Sequence, residues 1–489
     1  MGSRNQNSGR LVATHSQGLS LVPDEQLELD TFLQEHLDKG YIRPSKCNIV
    51  SPFFFVKKKD GKLRFVQDYR RLNEFTVKNR YPLLLASDII SKLQSAKYFT
   101  KLDVCWGYNN VRIKEGDEWK AAFAVPGTDG GPPRLFEPLV MFFGLCNSPS
   151  TFQRMMNTIF ADMLNEGWLV IYMDDILIFS SDPEIHKERT CWVIQRLHDN
   201  NLYLKPEKCY FDVSEVEFLG LILRPGQLAL DPVKVEGVTK WPAPRSVKEV
   251  RSFVGFANFY RRFIHHFSEQ VRPLVDLTKK DVRWHWDDEQ RLAFDDLKSE
   301  FVKAPTLRIP DDTKPFALEC DSSLFATGGV LLQADPNGDM HPCGFISQSL
   351  NPAERNYQIY DRKLLAIIRG LDTWEHHFLG SPHRLQIRSD HKNLTYWRTA
   401  RKLNCCQARR SLYLSQFDYE LVHVPGSQMI VSDALSRRPD HDNGKSDNED
   451  IVMIPDQAFV RRLTEQDEFI DDANEYPHSN SSLPSRASD

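Results

Sequence analysis

Two adjacent aspartates, Asp174 and Asp175, interrupt an otherwise continuous apolar run over residues 167–180. Each flank is long enough for a buried strand, so the pair is expected to form the tip of their hairpin. A purely structural type I′ turn selects Asn-Gly or Asp-Gly, because both central residues need φ > 0. Neighbouring carboxylates also repel unless a cation neutralises them, and hard oxygen ligands on a rigid edge suit Mg²⁺. Metal binding and an unusual structural turn both remain open from this segment alone. Asp103 adds a third acid, at the end of a strand-like run over 97–104 and just before Trp106-Gly107-Tyr108. Alone it reads as a strand-end or capping residue. Joined to the Asp-Asp pair it completes a set able to hold two Mg²⁺ ions about 3.5 to 4 Å apart, the arrangement that serves phosphoryl transfer. Lys57-Lys58-Lys59, Lys62 and Arg64 crowd another hairpin tip. They could hold a triphosphate, with a solvated basic face as the plain alternative.

The elements that must position these groups follow from patterning. A helix is expected from Pro23, carrying Leu27, Leu29, Phe32, Leu33 and Leu37. Residues 51–59 and 62–69 read as strands joined by an Asp60-Gly61 type I′ turn. After Pro225-Gly226 the pattern becomes mainly helical to about Thr306, with Trp241-Pro-Ala-Pro244 as punctuation and an aromatic, basic helix over 247–267. Strands return over 315–333, with Gly328-Gly329 inside, then a long helix over 355–378, a strand over 384–389 and a short helix after Ser432. That order indicates a second α/β unit.

The length of 489 residues allows two to four folded units, and 41% apolar with 26% charged residues excludes wholesale disorder. No stretch reaches the roughly 18 unbroken apolar residues of a membrane span, and the first twenty residues lack a secretory core. A soluble, intracellular protein without a membrane partner is expected. Nine cysteines without a Cys-x-x-Cys pair read as reduced thiols, not a zinc site. The net charge is −5, but residues 440–489 carry 13 acids and 4 bases, so the preceding 439 residues are mildly basic at +4.

Six ordered motifs resemble the pol protein of gypsy-class LTR retrotransposons, a reverse transcriptase joined to ribonuclease H. They are Val56-Lys-Lys-Lys-Asp-Gly-Lys-Leu-Arg-Phe-Val-Gln-Asp-Tyr-Arg-Arg-Leu-Asn73, Phe99-Thr-Lys-Leu-Asp103, Phe142-Phe-Gly-Leu-Cys-Asn-Ser-Pro-Ser-Thr-Phe-Gln153, Tyr172-Met-Asp-Asp175, Leu204-Lys-Pro-Glu-Lys-Cys209 and Glu217-Phe-Leu-Gly220. The resemblance covers about 25–438. It implies an α+β and α/β multidomain chain: a right-hand polymerase with fingers and palm over 21–224 and a helical thumb or connection over 225–306, then a ribonuclease H-like α/β domain over 307–438. A disordered N-terminus over 1–20 and an acidic, disordered tail over 439–489 flank them.

By the same resemblance Asp103, Asp174 and Asp175 are the catalytic, metal-binding triad, served by two Mg²⁺ ions per active site with Mn²⁺ as a substitute. Lys58 and Arg64 match the phosphate-contacting pair of the fingers. Tyr108 matches the ring that excludes a ribose 2′-OH, with a half-buried core tyrosine as the alternative. Phe143 and Gly144 would line the nucleotide pocket. Phe218, Leu219 and Gly220 match the primer grip, with an ordinary buried strand as the alternative. The implied partners are an RNA template, a DNA primer, the RNA/DNA hybrid and dNTPs. Protease and integrase, the other polyprotein products, have no recognisable segment here, so an excised part of a polyprotein is expected, in the cytoplasm, a virus-like particle or the nucleus, with a homodimer open.

The second α/β unit resembles ribonuclease H, with Asp321, Asp390 and Asp433 at catalytic, metal-binding positions. The family places a Glu on the intervening helix, whereas Tyr360-Asp-Arg-Lys363-Leu-Leu-Ala366 carries a lysine there. An ammonium among carboxylates removes a ligand and reverses a charge. Asp361 is no substitute, because two residues along a helix is about 200° around its axis. An impaired nuclease is therefore expected. The pairs His265-His266 and His376-His377 read as surface or capping residues, since adjacent helical positions point apart. Arg398, Arg401, Lys402, Arg409 and Arg410 could track a phosphate backbone or form a solvated face. Two rival readings stand beside polymerisation: a decayed copy that binds template and primer without copying, and a metal-dependent nuclease without polymerase activity.

Overall fold

Helix Pro23–Asp38 starts with a proline in its first turn and with Asp24 and Glu25 where the helix dipole favours acids. The computed structural model describes residues 22–57, 63–82, 89–90, 92–127, 131–390 and 405–424. Lys58, Asp433, Arg398, Arg401, Lys402, the helix expected after Ser432 and both terminal segments expected to be disordered lie outside the described residues, as does the side chain of Arg64.

Leu29 and Leu33 of that first helix are buried with Ile42 of β1 (Ile42–Pro44), Phe53 of β2 (Phe53–Lys57) and Phe65 of β3 (Leu63–Gln67). Lys57 stands opposite Leu63. A two-residue Asp60-Gly61 loop would instead set Lys58 opposite Leu63, so the register differs by one position from the expected one. The floor of the first unit is an antiparallel sheet of order β7-β8-β4-β9, formed by β4 (Tyr98–Asp103), β7 (Leu169–Tyr172), β8 (Asp175–Ser180) and β9 (Tyr210–Val213). A smaller sheet, β1-β6-β5, holds β5 (Phe123–Val125) and β6 (Arg134–Pro138). The apolar runs beside the aspartates are continuous because both faces of their strands are covered. Leu169, Ile171, Ile176 and Ile178 pack on Phe152 and Met156 of helix Ser148–Ile159 and on Val193 and Leu197 of helix Pro183–Asp199. Val170, Leu177 and Phe179 face the other way, into a core shared with Val250 and Phe253.

The strands before residue 224 and the helices after it share that core. Pro225-Gly226 is the turn between β11 (Leu221–Arg224) and β12 (Gln227–Leu230), inside a sheet that also holds β10 (Val216–Phe218) and β13 (Leu307–Arg308). The strands on either side of this chain reversal hydrogen-bond across it. Likewise β13, expected in the second α/β unit, closes the sheet of the preceding one. The helix expected over 247–267 spans Val247–Phe259 and gives way to a short turn at Arg261–Phe263 and a separate helix Phe267–Gln270, with His266 left-handed at φ 47° before it.

The second α/β unit is a five-stranded sheet of order β16-β15-β14-β17-β18. Its strands are β14 (Phe316–Ser322), β15 (Ala326–Ala334), β16 (Met340–Ser349), β17 (Leu385–Ser389) and β18 (Tyr419–His423). β14, β17 and β18 run parallel, and the connection from β16 to β17 carries helix Ile359–Thr373. Gly370 of that helix lets it approach β14 closely: a Cβ there would lie 3.2 Å from the Cys320 Sγ. The sequence reading omits β16, β18 and helix Cys405–Leu414. Pro342 and Gly344 break the strand pattern in β16, which lies at the sheet edge where a proline costs no central ladder bond.

The histidine pairs divide: His376 is exposed and His266 takes the N-cap position of helix Phe267–Gln270, as expected, whereas His266 and His377 are themselves buried. His266 is buried between helix Phe267–Gln270 and β15, where a Cβ on Gly328 would lie 2.9 Å from its Cε1. His377 is buried with its Nδ1 2.6 Å from the Asp312 carboxylate. His266 stands where elements expected to be separate meet, His377 where two sequence-distant segments of one unit meet, and tertiary contact overrides the local pattern at both.

Candidate active sites

The β4–β8 register sets Asp103 directly opposite Asp175, and the Val104 N–H donates to the Asp174 carbonyl over 2.8 Å. Asp103 and the sequence-distant pair Asp174-Asp175 thus share one end of the sheet. Tyr172 pairs with Asp175, which corrects the expected tip: the turn residues are Met173 and Asp174, and Asp175 is the first residue of β8. Met173 alone takes a positive φ, 56°, the pattern of a type II′ turn. A left-handed non-glycine residue costs roughly 1–2 kcal/mol, so something must hold it. Gln153, buried on helix Ser148–Ile159, does so: its Oε1 accepts from the Met173 N–H over 2.7 Å and its Nε2 donates to the Ile171 carbonyl over 3.0 Å.

Lysines compensate the acids. Lys205 donates to Asp103 Oδ1 at 2.6 Å, and Lys208 stands 3.3 Å from Oδ2. Backbone pairing brings Lys205 there, since its N–H donates to the Asp103 carbonyl and the Cys105 N–H donates to Tyr203. Lys101, buried on β4, lies 3.7 Å from Asp175 and 2.8 Å from Glu217. Burial opposes the Lys101 charge, but the Glu217 carboxylate and the fields of Asp175 and Asp103 outweigh it and hold its pKa above the ordinary lysine value. For Asp175, burial raises the pKa, and repulsion from Asp174 and Asp103 adds to it against the pull of Lys101. Lys101, Gln153, Lys205, Lys208 and Glu217 were not singled out from the sequence, although each lies inside a quoted motif. Their signal was the motif itself, and their task depends on contacts across 20 to 116 residues.

Tyr108 is half-buried beside the Met173-Asp174 turn. Its ring stands 4.8 Å from Phe143 and 5.9 Å from Phe152, and its hydroxyl lies 3.5 Å from the Met173 sulfur. Gly144 has φ +98°, lies 3.0 Å in Cβ terms from the Gln67 carbonyl, and joins Phe54, Gln67, Tyr69 and Asn73 around a surface cavity. Phe218 ends β10, but Leu219 and Gly220 form a two-residue turn, not a strand, with φ of 53° and 80°. The Gly220 N–H donates to Glu217 Oε1 over 2.8 Å, and a Cβ at Gly220 would lie 2.6 Å from the Tyr260 hydroxyl.

In the second α/β unit Asp321 comes directly after the buried part of β14 and Asp390 follows β17. Between them stands the buried ammonium of Lys363, hydrogen-bonded to Asp390 and 3.8 Å from Asp321. Burial pushes the Asp321 carboxyl above its ordinary pKa; Lys363 pulls it back while Asp390 pushes it further. Asp361 turns away, 3.5 Å from Arg410. The remaining helix-face positions Ile359, Tyr360, Ala366 and Ile367 bring no carboxylate.

Among the described residues no three His, Cys, Asp or Glu side chains form a group that could hold a metal ion as they stand. At the first site the donor set still fits a divalent cation by type and register. Its negative charge is balanced by the ammonium groups of Lys101, Lys205 and Lys208. At the second site the residues do not fit, because Lys363 fills the space between the two acids.

Comparison with known proteins follows this division. Residues 56–223 match the family described as Reverse transcriptase (RNA-dependent DNA polymerase), and residues 286–387 match that described as RNase H-like domain found in reverse transcriptase. The Transposon Tf2-3 polyprotein of Schizosaccharomyces pombe is 36% identical over 452 residues, covering 92% of this chain and 33% of that polyprotein. The Tf2-7 polyprotein of the same yeast is 35% identical over the same shares. The chain therefore spans about a third of the length of these curated relatives. Among solved structures, the foamy viral protease-reverse transcriptase dRH in complex with double-stranded DNA aligns with a TM-score of 0.68 at 20% identity, over 87% of this chain and 74% of that one. The foamy viral enzyme in complex with RNA/DNA hybrid gives 0.62 at 20% identity, over 84% and 55%. At that identity the likeness shows the fold: a mixed α/β polymerase fold followed by a ribonuclease H-like domain.

Proposed function

We propose that this chain, a reverse transcriptase domain joined to a ribonuclease H-like domain, extends a DNA primer on an RNA template as the polymerising part of a gypsy-class LTR retrotransposon polyprotein. The observation that carries the reading is the meeting of Asp103, Asp174 and Asp175 at one sheet end, with Asp103 opposite Asp175. The primer 3′ oxygen attacks the α-phosphorus of a dNTP, the new O–P bond forms, and the bond to the β-phosphate oxygen breaks to release pyrophosphate. Paired Mg²⁺ ions, or Mn²⁺ in their place, would be held by the three aspartates and supply Lewis acidity to the attacking and leaving oxygens. Tyr108, wedged between Phe143 and Phe152, forms a rigid wall that would exclude a ribose 2′-OH. Gly144 lines the nucleotide side, Lys58 and Arg64 would take the triphosphate, and the turn after Phe218 would seat the primer end.

The same reading gives an impaired nuclease centre, because the Lys363 ammonium is bound by the acids that would otherwise take metal. It further gives an intracellular protein that works on RNA/DNA hybrid beside separate protease and integrase products, with a homodimer as one assembly. Among the described residues no helix is long and apolar enough to cross a membrane.

Extension of oligo-dT on poly-A by the purified chain, with Asp174→Asn alongside, tests the proposal. Mg²⁺-dependent extension by the first and none by the second supports it. A second reading, template binding without copying, is favoured by one observation: both Asp103 oxygens face lysines. Hybrid binding without extension in either Mg²⁺ or Mn²⁺ would select it.

A further inference from the structure

Lys101 makes contacts that its place on a floor strand does not require. From β4 it reaches diagonally across the ladder to Asp175 at 3.7 Å, and sideways to Glu217, whose carboxylate it meets at 2.8 Å and whose carbonyl it meets at 3.0 Å. Glu217 has a second task, since its other carboxylate oxygen accepts from the Gly220 N–H over 2.8 Å. That bond closes the Leu219-Gly220 turn, whose two residues both take positive φ, a strained choice at Leu219. One buried ammonium therefore links a carboxylate of the catalytic end to the carboxylate that clamps a strained turn. The β10–β11 hairpin makes no ladder bond with β4, because the two belong to different sheets. The Lys101 contacts tie the hairpin to the strand that carries Asp103 two residues further on.

We infer that Lys101, acting through Glu217, is a positioning residue for primer extension: it fixes the Leu219-Gly220 turn, and with it the primer 3′ end, in register with the aspartates. This rests on the polymerase reading above. A charge in this place does what an apolar side chain cannot. It holds three oxygens at once from within the core, and it lowers the repulsion that Asp175 meets from Asp103 and Asp174. Placement of the 3′ oxygen matters more to rate than to nucleotide affinity, because proximity acts on the attack and not on the binding of the triphosphate.

The test is single-turnover primer extension by the full chain with Lys101→Met, Lys101→Arg, Glu217→Gln and the Lys101→Met/Glu217→Gln pair, each with its thermal midpoint recorded. Lys101→Met is expected to slow the extension step on the order of 10- to 100-fold while the dNTP concentration for half-maximal rate stays within about threefold. Lys101→Arg should recover most of the rate. The double variant should be no slower than Lys101→Met alone, because one linkage has been removed twice. Wild-type rates in Lys101→Met overturn the inference alone. So does a loss that disappears on cooling and tracks the drop in thermal midpoint, which a stabilising ion pair would give. A wild-type chain that fails to extend any primer overturns this inference together with the polymerase reading.

Discussion

Lys205 donates to Asp103 over 2.6 Å, so an ammonium group stands against the acid that faces Asp175 across the sheet. The lysine reaches it because the 203–205 segment pairs with the backbone around Asp103, which fixes the donor within reach before any ligand arrives. On the proposed reading a divalent cation would compete with this ammonium for one carboxylate.

Replacing Lys205 by Met should therefore tighten divalent-cation binding to the free chain. An increase of about three- to tenfold is expected, from the loss of a competitor worth roughly 1 kcal/mol at a partly exposed site. Mn²⁺ titration followed by electron paramagnetic resonance reads it. Unchanged or weaker binding would show that the pair does not control access to Asp103.

Gln153 holds the left-handed Met173 by accepting its N–H. Gln153→Leu leaves that donor without a partner and removes a bond to Ile171 in a buried setting, costing roughly 1–3 kcal/mol of stability. Extension should fall further than stability explains, since the turn also carries Asp174. Rates measured well below the new thermal midpoint separate the two effects, and a full rate there would exclude a positioning role.

Lys363→Glu replaces the ammonium between Asp321 and Asp390 by a third carboxylate. Without metal the second α/β unit should lose stability through repulsion, and added Mg²⁺ should restore it. Cleavage of an RNA/DNA hybrid should rise at least about tenfold, in line with a ligand regained. Equal and robust cleavage before and after the change would refute the view that Lys363 impairs this centre.

His266 gives a pH dependence with a definite sign. Burial pushes its pKa down to about 4, so the folded chain holds it neutral where Gly328 leaves room for the ring. The unfolded chain takes up the proton nearer the ordinary histidine value of about 6.5. The resulting stability is complete above that value and is lost as the pH falls toward 4, by up to about 3 kcal/mol. Glu269, 3.7 Å from Nδ1, would offset part of that loss. Thermal midpoints between pH 7 and 4.5 should fall more steeply for the native chain than for His266→Asn, which tolerates the left-handed backbone. Parallel slopes would exclude the histidine as the cause.

Much of the first site was legible before any coordinates. Alternation and apolar runs identify β4, β7 and β8, and the acids stand out because a carboxylate in a buried strand needs a reason. What patterning misses is instructive. It marks a change of pattern after Pro225-Gly226 but not that the strands on either side pair, because turn chemistry shows where a chain reverses and not what the reversed strand meets. It reads the histidine pairs as surface or capping residues and misses the burial of His266 and His377, because their partners, Gly328 and Asp312, come from sequence-distant elements. It places Asp174-Asp175 at the tip, one residue late, because a one-step shift of register is invisible until the partner strand is known.

The amino-acid sequence by itself determined which residue types are available and in what local order: three aspartates at the ends of buried strands, a lysine where a glutamate is expected, and the succession of helices and strands along the chain. Only the tertiary structure decided which charges meet. Lys101 with Glu217, Lys205 with Asp103, Gln153 with Met173 and Lys363 with Asp390 are encounters across 20 to 116 residues. Local propensity acts over a few residues, whereas the pairing of ammonium with carboxylate in a low-dielectric interior depends on distances of a few ångströms that only chain packing can set.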